Sequence, residues 1–428
     1  MIECFFAKFI PLGNAAINAE KIINEKAKVR KVMDEVFMIL NILSVINLYD
    51  CNANILYQIG YYSMHLLHVA DSHLGYSAYH KLAKNGLNQR EMDTYNAFKQ
   101  FVDYAIKVKP DFIIHAGDLF DTVRPTNRAI KFAVEELLRL SEEDIPMVII
   151  SGNHETPKLR ETGSPLGFFE HLKNIHVVYK GKYEKIEIGG AMIHAIPHSF
   201  SKEELIKNIE MASPVDRYIN ILTMHVGILG IKEFSRGDFN EQIIPSGYLS
   251  PKFDYIALGH YHKATKVTEN AYYSGSTEYF SFKEAGDKKG FFDLSIDGSI
   301  NMKFIPLNTR EMVDLGVMDC KDKSPSEITE EIIRKFDGME GKIVRLFLKN
   351  LSIKKQRSME WNRIRKVMSK ALHSEIRFDL EEIKYEMATK SRIGSIEEEW
   401  REFISKIAMR DKKEIEELAI KYLSEAIS

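Results

Sequence analysis

Five short strings hold the residues of this chain best suited to chemistry: Asp71-Ser72-His73, Gly117-Asp118, Gly152-Asn153-His154, Met224-His225-Val226-Gly227 and Gly259-His260-Tyr261-His262. Together they offer two aspartates, one asparagine and four histidines as ligands, with His154 in addition. Such a set suits two divalent cations about 3.5–4 Å apart, which activate water and clamp the oxygens of a phosphoryl group. One carboxylate must bridge the pair. Asp118 is the natural choice, behind a glycine that lets the backbone turn close to the ions. Asp71 and His73 stand two apart on an extended segment and so point to one side. With His262 they make the first cation site; Asn153, His225 and His260 make the second. The mixed donor set suits manganese or iron better than magnesium. His154, beside a ligand, is placed to give a proton to a leaving oxygen or to steady charge on the phosphate.

These residues need a frame that brings them together. Each string follows an apolar run that reads as a buried strand: Leu66–Ala70, Phe112–Ala116, Met147–Ile150, Ile219–Thr223 and Tyr255–Leu258. Ligand-type residues at the carboxyl ends of parallel strands converge on one crevice. A helical pattern over Leu87–Val108 turns Met92, Phe98, Phe101, Val102, Ala105 and Ile106 to one side. Thr126 can cap a second helix to about Leu140, with Ile130, Val134, Leu137 and Leu138 inward. Ser164-Pro165 opens a third, Leu166–Leu172, and hairpin-like segments follow around Val177–Ile188 and Ala191–Ile196. The alternation predicts an α/β class, a layered α/β sandwich.

Each piece alone is ordinary. A single histidine at a strand end is most often structural, and the asparagine of Gly-Asn-His suits a turn. His68 and His115 lie within strands and read as core or supporting residues, not ligands. The specificity lies in the ordered set, each member behind a strand.

At 428 residues the chain needs more than one core. Its formal net charge of -2 gives no global nucleic-acid signal, so any such face must be local. Cys4, Cys51 and Cys320 are too few and scattered for a disulfide framework and fit a reducing compartment. Residues 1–63 precede the first motif strand. Their apolar run Val36–Ile46 is short for a membrane span and badly placed for a signal peptide. The expectation is a mis-called extension with Met64 as the biological start; the alternative is a real helical extension using Ile17–Ile42.

Beyond the motif region, Met312–Met318, Ile343–Leu348 and Glu375–Leu380 read as strands, with helices over Ser326–Phe336 and Met359–Leu372. That predicts a small α/β cap over 309–384, after a catalytic domain over 64–308. Between Lys342 and Lys370 stand ten Lys and Arg against one acid, Glu360, a local charge of +9. Lys342, Arg345, Lys349, Lys354, Lys355 and Arg357 are the candidates for contacting a phosphate backbone without reading sequence. The bland reading is a solvated face. Over 385–428 a linker leads to a helix-loop-helix: Ile396, Trp400, Phe403, Ile404 and Ile407 share one face, and Ile415, Leu418, Ala419, Tyr422 and Leu423 another. Trp400, Phe403, Ile404 and Leu418 are candidates for docking in a partner's groove, the alternative being packing on the chain's own body.

The ordered set resembles the calcineurin-like metallophosphoesterase superfamily. Asp71-Ser72-His73-Leu74-Gly75-Tyr76, Asn88-Gln89-Arg90-Glu91, Gly117-Asp118-Leu119-Phe120 with Arg124-Pro125, Gly152-Asn153-His154, Gly259-His260-Tyr261-His262 and Tyr273-Ser274-Gly275-Ser276 narrow it. They look like the double-strand-break repair nuclease family called meiotic recombination eleven, SbcD in bacteria, in its archaeal type. The likeness covers about residues 64–310. Several relatives carry His where Asp121 stands, and many carry Asp where Glu155 stands. The resemblance implies a manganese-dependent DNA nuclease with two Mn2+ per subunit, single-strand endonuclease and double-strand 3′-to-5′ exonuclease activity. It also implies a homodimer, DNA ends as substrate, an SMC-like ABC ATPase of the Rad-fifty type bound by the tail, and a cytoplasmic, nucleoid-associated location without a membrane. Two other readings stand beside it: a small-substrate phosphodiesterase or protein phosphatase, and a DNA-end tether whose metal site is vestigial.

Overall fold

β1 (Met64–Val69) is apolar at most positions, which suits a strand covered on both faces. In the computed structural model Leu66 packs toward a second sheet, and Leu67 and Val69 pack toward helices. The structure describes residues 63–159, 162–230 and 241–380, and in the tail 400, 403–405, 415–420 and 422. The N-terminal extension and most of the helix-loop-helix lie outside these residues.

In chain order come α1 (Gln89–Val108), β2 (Phe112–His115), α2 (Asn127–Glu142), β3 (Met147–Ile150) and β4 (Ile175–Val178). Then follow β5 (Glu184–Ile188), β6 (Ala191–Ile196), α3 (Lys202–Met211) and β7 (Ile219–His225). The short β8 (Gly227–Ile228) and β9 (Ile243–Ile244) precede β10 (Tyr255–Gly259), β11 (Thr265–Lys266), β12 (Ala271–Tyr273), β13 (Gly290–Ile296) and β14 (Ile300–Pro306). They build two six-stranded sheets, ordered β14-β13-β1-β2-β3-β4 and β11-β12-β10-β7-β6-β5. β1 through β4 run parallel, and β13 and β14 close that sheet antiparallel. β6, β7, β10 and β12 are parallel in the other.

Three apolar layers follow. Leu67, Val69 and Ile113 meet Phe98, Phe101 and Val102 of α1 and Ala133 and Leu137 of α2. Leu66, Ile114 and Val148 meet Ile193, Ile221 and Ala257 between the sheets. Ile196, Leu222 and Leu258 meet Leu205 of α3. This is the layered α/β sandwich expected from the alternation. Each large apolar side chain buried in it contributes on the order of 1.5–3 kcal/mol. His68 crosses the middle layer, its Nδ1 2.8 Å from the Tyr255 hydroxyl and its Nε2 3.2 Å from the Leu258 carbonyl. Burial lowers its pKa to about 3, so it stays neutral and ties one sheet to the other.

Three local expectations need correction. α2 buries Ala129, Ala133, Leu137 and Leu140, while Leu138 is 39% exposed and Ile130 and Val134 flank the buried stripe. Small alanines let the helix sit close to the sheet, so the stripe follows them and not the larger aliphatics. The third helix is a short 3-10 turn, Pro165–Phe169, which buries Leu166 and Phe169 and leaves Phe168 outside. Val177–Ile188 is not one hairpin: β4 ends the first sheet and β5 starts the second.

A separate three-stranded parallel sheet is formed by β15 (Met312–Asp319), β16 (Ile343–Leu351) and β17 (His373–Leu380). Helices α4 (Pro325–Lys335), α5 (Ile353–Ser358) and α6 (Trp361–Met368) connect its strands. Ser324 caps α4 with a full capping box to Glu327, and Ile328, Ile332 and Ile364 fill its core. Arg310 clasps this unit to the main body. Its guanidinium donates to both oxygens of Asp93 at 2.7 and 2.9 Å and to the Gly341 carbonyl at 2.6 Å. Tyr79 stacks on His373 with ring centroids 3.9 Å apart.

Candidate metal centre

The five strings are brought together by the two sheets jointly. Asp71, His73, Asp118 and Asn153 leave β1, β2 and β3 of the first sheet; His225, His260 and His262 leave β7 and β10 of the second. Past the strand ends the parallel β1–β2 ladder continues through the motifs. Asp71 N–H donates to the Gly117 carbonyl at 3.0 Å, and Ser72 and His73 N–H both donate to the Asp118 carbonyl at 2.9 and 3.1 Å. These loops are not extended, as the spacing alone suggested. Asp71, His73, Asp118 and His260 have φ of 52°, 44°, 55° and 103°. Left-handed backbone at non-glycine residues costs on the order of 1–3 kcal/mol each and clusters where surroundings over-determine a functional geometry. Two glycines allow the approach. A Cβ on Gly117 would lie 2.4 Å from His225 Nδ1, and one on Gly259 would lie 2.0 Å from the Ala116 carbonyl oxygen.

All seven expected ligands are buried and converge. Asp71, His73 and His262 offer ligand atoms within 4.8 Å of one another, as do Asp71, Asp118 and His225. Asp118 Oδ2 lies between the groups, 3.1 Å from His225 Nε2 and 3.9 Å from His73 Nε2. Asn153 Oδ1 stands 3.1 Å from His225 Nε2 and 3.3 Å from His260 Nδ1. Asp118 thus lies between the His73 and His262 group and the Asn153, His225 and His260 group.

Three of the four histidines also have a hydrogen-bond partner at the outer nitrogen. His225 Nδ1 is 2.8 Å from the Ala116 carbonyl, His260 Nε2 3.1 Å from Glu241 and His262 Nδ1 3.1 Å from Glu284, while His73 Nδ1 lies 3.3 Å from Asp121 without a hydrogen bond. Such outer partners hold the proton on the far nitrogen and aim the inner lone pair at an ion. With that tautomer, the His262 Nε2 lone pair faces His73 Nε2 at 3.2 Å. A cation between them would satisfy that arrangement, so the donors fit a divalent metal.

The electrostatics agree. Burial works against ionisation of Asp118, yet His225 and His154 beside it hold its carboxyl well below the usual range. Burial likewise opposes charge on His225, but Asp118 pushes its pKa up to about 9. The cluster therefore favours positive charge next to Asp118. Burial raises the Asp71 carboxyl, opposed by His225.

His154 lies at the rim, its Nδ1 2.7 Å from the Asp121 carbonyl and its ring edge-on to His73 at 4.6 Å. Burial disfavours its charge, but Asp118 and that carbonyl outweigh it, and its pKa is raised. His115 bonds Ser72 at 2.9 Å, between two ligands, and burial lowers its pKa to about 3. It supports the loop, as expected of a residue that is not a ligand.

Sequence reasoning missed the outer partners Glu241 and Glu284, the buried Lys289 and Glu155. Glu155 accepts from Phe120 N–H at 2.7 Å and Gly152 N–H at 3.0 Å, locking the Asp118 loop to the Asn153 loop. Two signals pointed to Glu155, its place beside His154 and the Asp that many relatives carry there, but neither gave its role. Glu241, Glu284 and Lys289 stand outside every motif.

The basic stretch divides. Arg345 is bound to Asp314 and lies over the Phe282 ring at 4.5 Å, Lys342 pairs with Glu311, and Lys355 Nζ donates to the Cys320 and Lys321 carbonyls. Lys349, Lys354 and Arg357 stand exposed with no ion pair among the described residues. The acids that answer the first group come from outside the basic window. In the tail Trp400 and Phe403 have ring centroids 5.8 Å apart; Phe403 and Leu418 are exposed and Ile404 is buried.

Residues 64–264 match the family model of the calcineurin-like phosphoesterases. The chain is 33% identical over 258 residues to a protein of Methanococcus maripaludis described as DNA double-strand break repair protein Mre11, covering 56% of this chain and 65% of that one. A protein of Methanocaldococcus jannaschii with the same description is 32% identical over 283 residues, covering 60% and 70%. One of Sulfolobus acidocaldarius is 30% identical over 288 residues, covering 64% and 70%. The match thus spans about two thirds of these relatives' length. Among the described residues no helix is long and apolar enough to cross a membrane. Sandwich fold, converged ligand set and shared sequence lead to one assignment: the chain belongs to the Mre11 family of calcineurin-like phosphoesterases.

Proposed function

We propose that the chain is a manganese-dependent DNA nuclease that trims and opens broken DNA ends, as single-strand endonuclease and double-strand 3′-to-5′ exonuclease. The observation that carries this reading is the buried convergence of Asp71, His73, Asp118, Asn153, His225, His260 and His262, with an outer hydrogen-bond partner on His225, His260 and His262. Bound divalent cations would supply an activated water and neutralise the non-bridging oxygens of a phosphodiester. The donor set of carboxylate, amide and imidazole suits Mn2+. Asp118 would be the ligand shared by the two cations. His154, its Nδ1–H held by the Asp121 carbonyl, offers the proton of Nε2 to the departing sugar oxygen.

The substrate reading leans on the exposed cations. Lys349, Lys354 and Arg357 face solvent on the three-stranded unit and suit a phosphate backbone. The exposed Phe168 and Leu138 suit a homodimer contact built from α2 and the following 3-10 turn. The exposed Phe403 and Leu418 suit docking of the tail on an SMC-like ABC ATPase of the Rad-fifty type. Both contacts go with a cytoplasmic, nucleoid-associated protein.

The test is cleavage by the full chain, with and without the ATPase, of blunt, hairpin and single-stranded DNA in manganese. Metal-dependent cleavage of single-stranded and blunt DNA is expected. Turnover of phosphopeptides or cyclic nucleotides with none of DNA would make this a small-substrate phosphodiesterase or phosphatase. Tight DNA binding without any cleavage would make it a tether.

A further inference from the structure

Lys289 and Glu284 are a charged pair almost wholly removed from water, 2% and 3% exposed. Lys289 Nζ donates to Glu284 Oε2 at 2.6 Å, to the Ser276 hydroxyl at 2.9 Å and to the His262 carbonyl at 2.9 Å. Glu284 Oε1 in turn faces His262 Nδ1 at 3.1 Å. One ammonium therefore grips the backbone of His262 and, through one carboxylate, its ring. Phe280 closes the ring's flank, with centroids 5.2 Å apart.

Stability does not explain this pair. Replacing a buried ion pair by apolar residues of like volume is often neutral or stabilising. Its geometry explains it better. His262 comes from the second sheet, whereas its companions Asp71 and His73 come from the first. Lys289 directly precedes β13 of the first sheet, and its own carbonyl accepts from Leu307 N–H at 2.9 Å. The ammonium thus holds a second-sheet histidine against first-sheet ligands. Glu284 keeps the ring proton on Nδ1, which leaves the Nε2 lone pair toward His73 and Asp71.

We infer that Glu284 and Lys289 are positioning residues for His262, acting on the cation it would share with Asp71 and His73 and not on the cation near His225 and His260. The inference rests on the two-cation reading above. Two measurements on the full chain separate them: Mn2+ titration by calorimetry, and the nitrogen chemical shifts of His262 in metal-free protein, which report its tautomer. The variant is Glu284→Leu with Lys289→Met, which leaves no unpaired buried charge and so keeps folding testable. Glu284→Gln with Lys289→Met is the conservative rescue, since an amide oxygen can still accept from Nδ1–H.

The expected result is an Nδ1–H tautomer in the unaltered protein, lost in the leucine variant and regained with glutamine. Affinity for one of two Mn2+ should fall about 10- to 100-fold in the leucine variant, with the other unchanged. An unaltered tautomer, or equal weakening of both cations, overturns the positioning role. An unaltered protein that shows the tautomer effect but binds no Mn2+ keeps the His262 clamp and sinks the two-cation reading instead.

Discussion

The crevice between the two sheets and the basic face of the three-stranded unit both collect charge, by opposite means. In the crevice, Asp118, His225, His260 and Glu155 are buried and each has a partner. Asp118 meets His225 at 3.1 Å, His260 meets Glu241 at 3.1 Å, and Glu155 takes two backbone N–H groups. Their positions are set by strands buried on both faces, so a shift of one residue would dislodge a whole apolar layer. On the basic face, Lys349, Lys354 and Arg357 stand on long stems in water, while Arg345, Lys342 and Lys355 are tied into the unit. The lesson is that density of charge in the chain says little about availability. A cation tied to an acid or carbonyl is a clamp; one without such a partner is open to a ligand.

This contrast can be broken most severely at the bridging position. Asp118→Ala should abolish binding of a cation pair and with it cleavage, because its Oδ2 lies between the two groups, 3.1 Å from His225 and 3.9 Å from His73. Manganese stoichiometry measured on that variant decides it; two ions still bound would overturn the bridging assignment. A smaller loss is expected at the rim. His154→Ser should keep both ions while turnover falls about 10²- to 10⁴-fold, the range for removing a positioned acid. Loss of an ion from that variant would instead make His154 a ligand.

The basic face sharpens the comparison with the smallest effects. Lys354→Ala and Arg357→Ala should each weaken DNA binding and lower the slope of log affinity against log salt by about 1. Arg345→Ala should leave that slope unchanged and lower the melting temperature, since its guanidinium is committed to Asp314 and Phe282. Titration of a labelled duplex at several salt concentrations, beside a thermal melt, reads both. If Arg345→Ala lowers the slope as much as the other two, the division into tied and open cations is wrong.

Much of the crevice is legible in the amino-acid sequence. β1, β2, β3, β7 and β10 lie within a few residues of the apolar runs, and each of the seven ligand-type residues follows one of them. Two expectations fail in instructive ways. The α2 stripe follows Ala129 and Ala133, because close approach to a sheet favours small side chains that a hydrophobicity pattern undervalues. The segment Val177–Ile188 splits between two sheets, because nothing local tells β4 that its partner is β3 and not β5.

The sequence by itself determined which side chains could hold ions and where along the chain they fall. Apolar strands long enough to be buried must end, and the residues at their ends are fixed by counting. Only the tertiary structure decided that the crevice joins two sheets, that four of the seven ligand-type residues have left-handed backbone, and which partners hold the outer nitrogens. Glu284 lies 22 residues from His262, and Asp314 lies 31 from Arg345. Such pairings carry no periodic signature in the chain, because they arise only when separately folded segments are packed against each other.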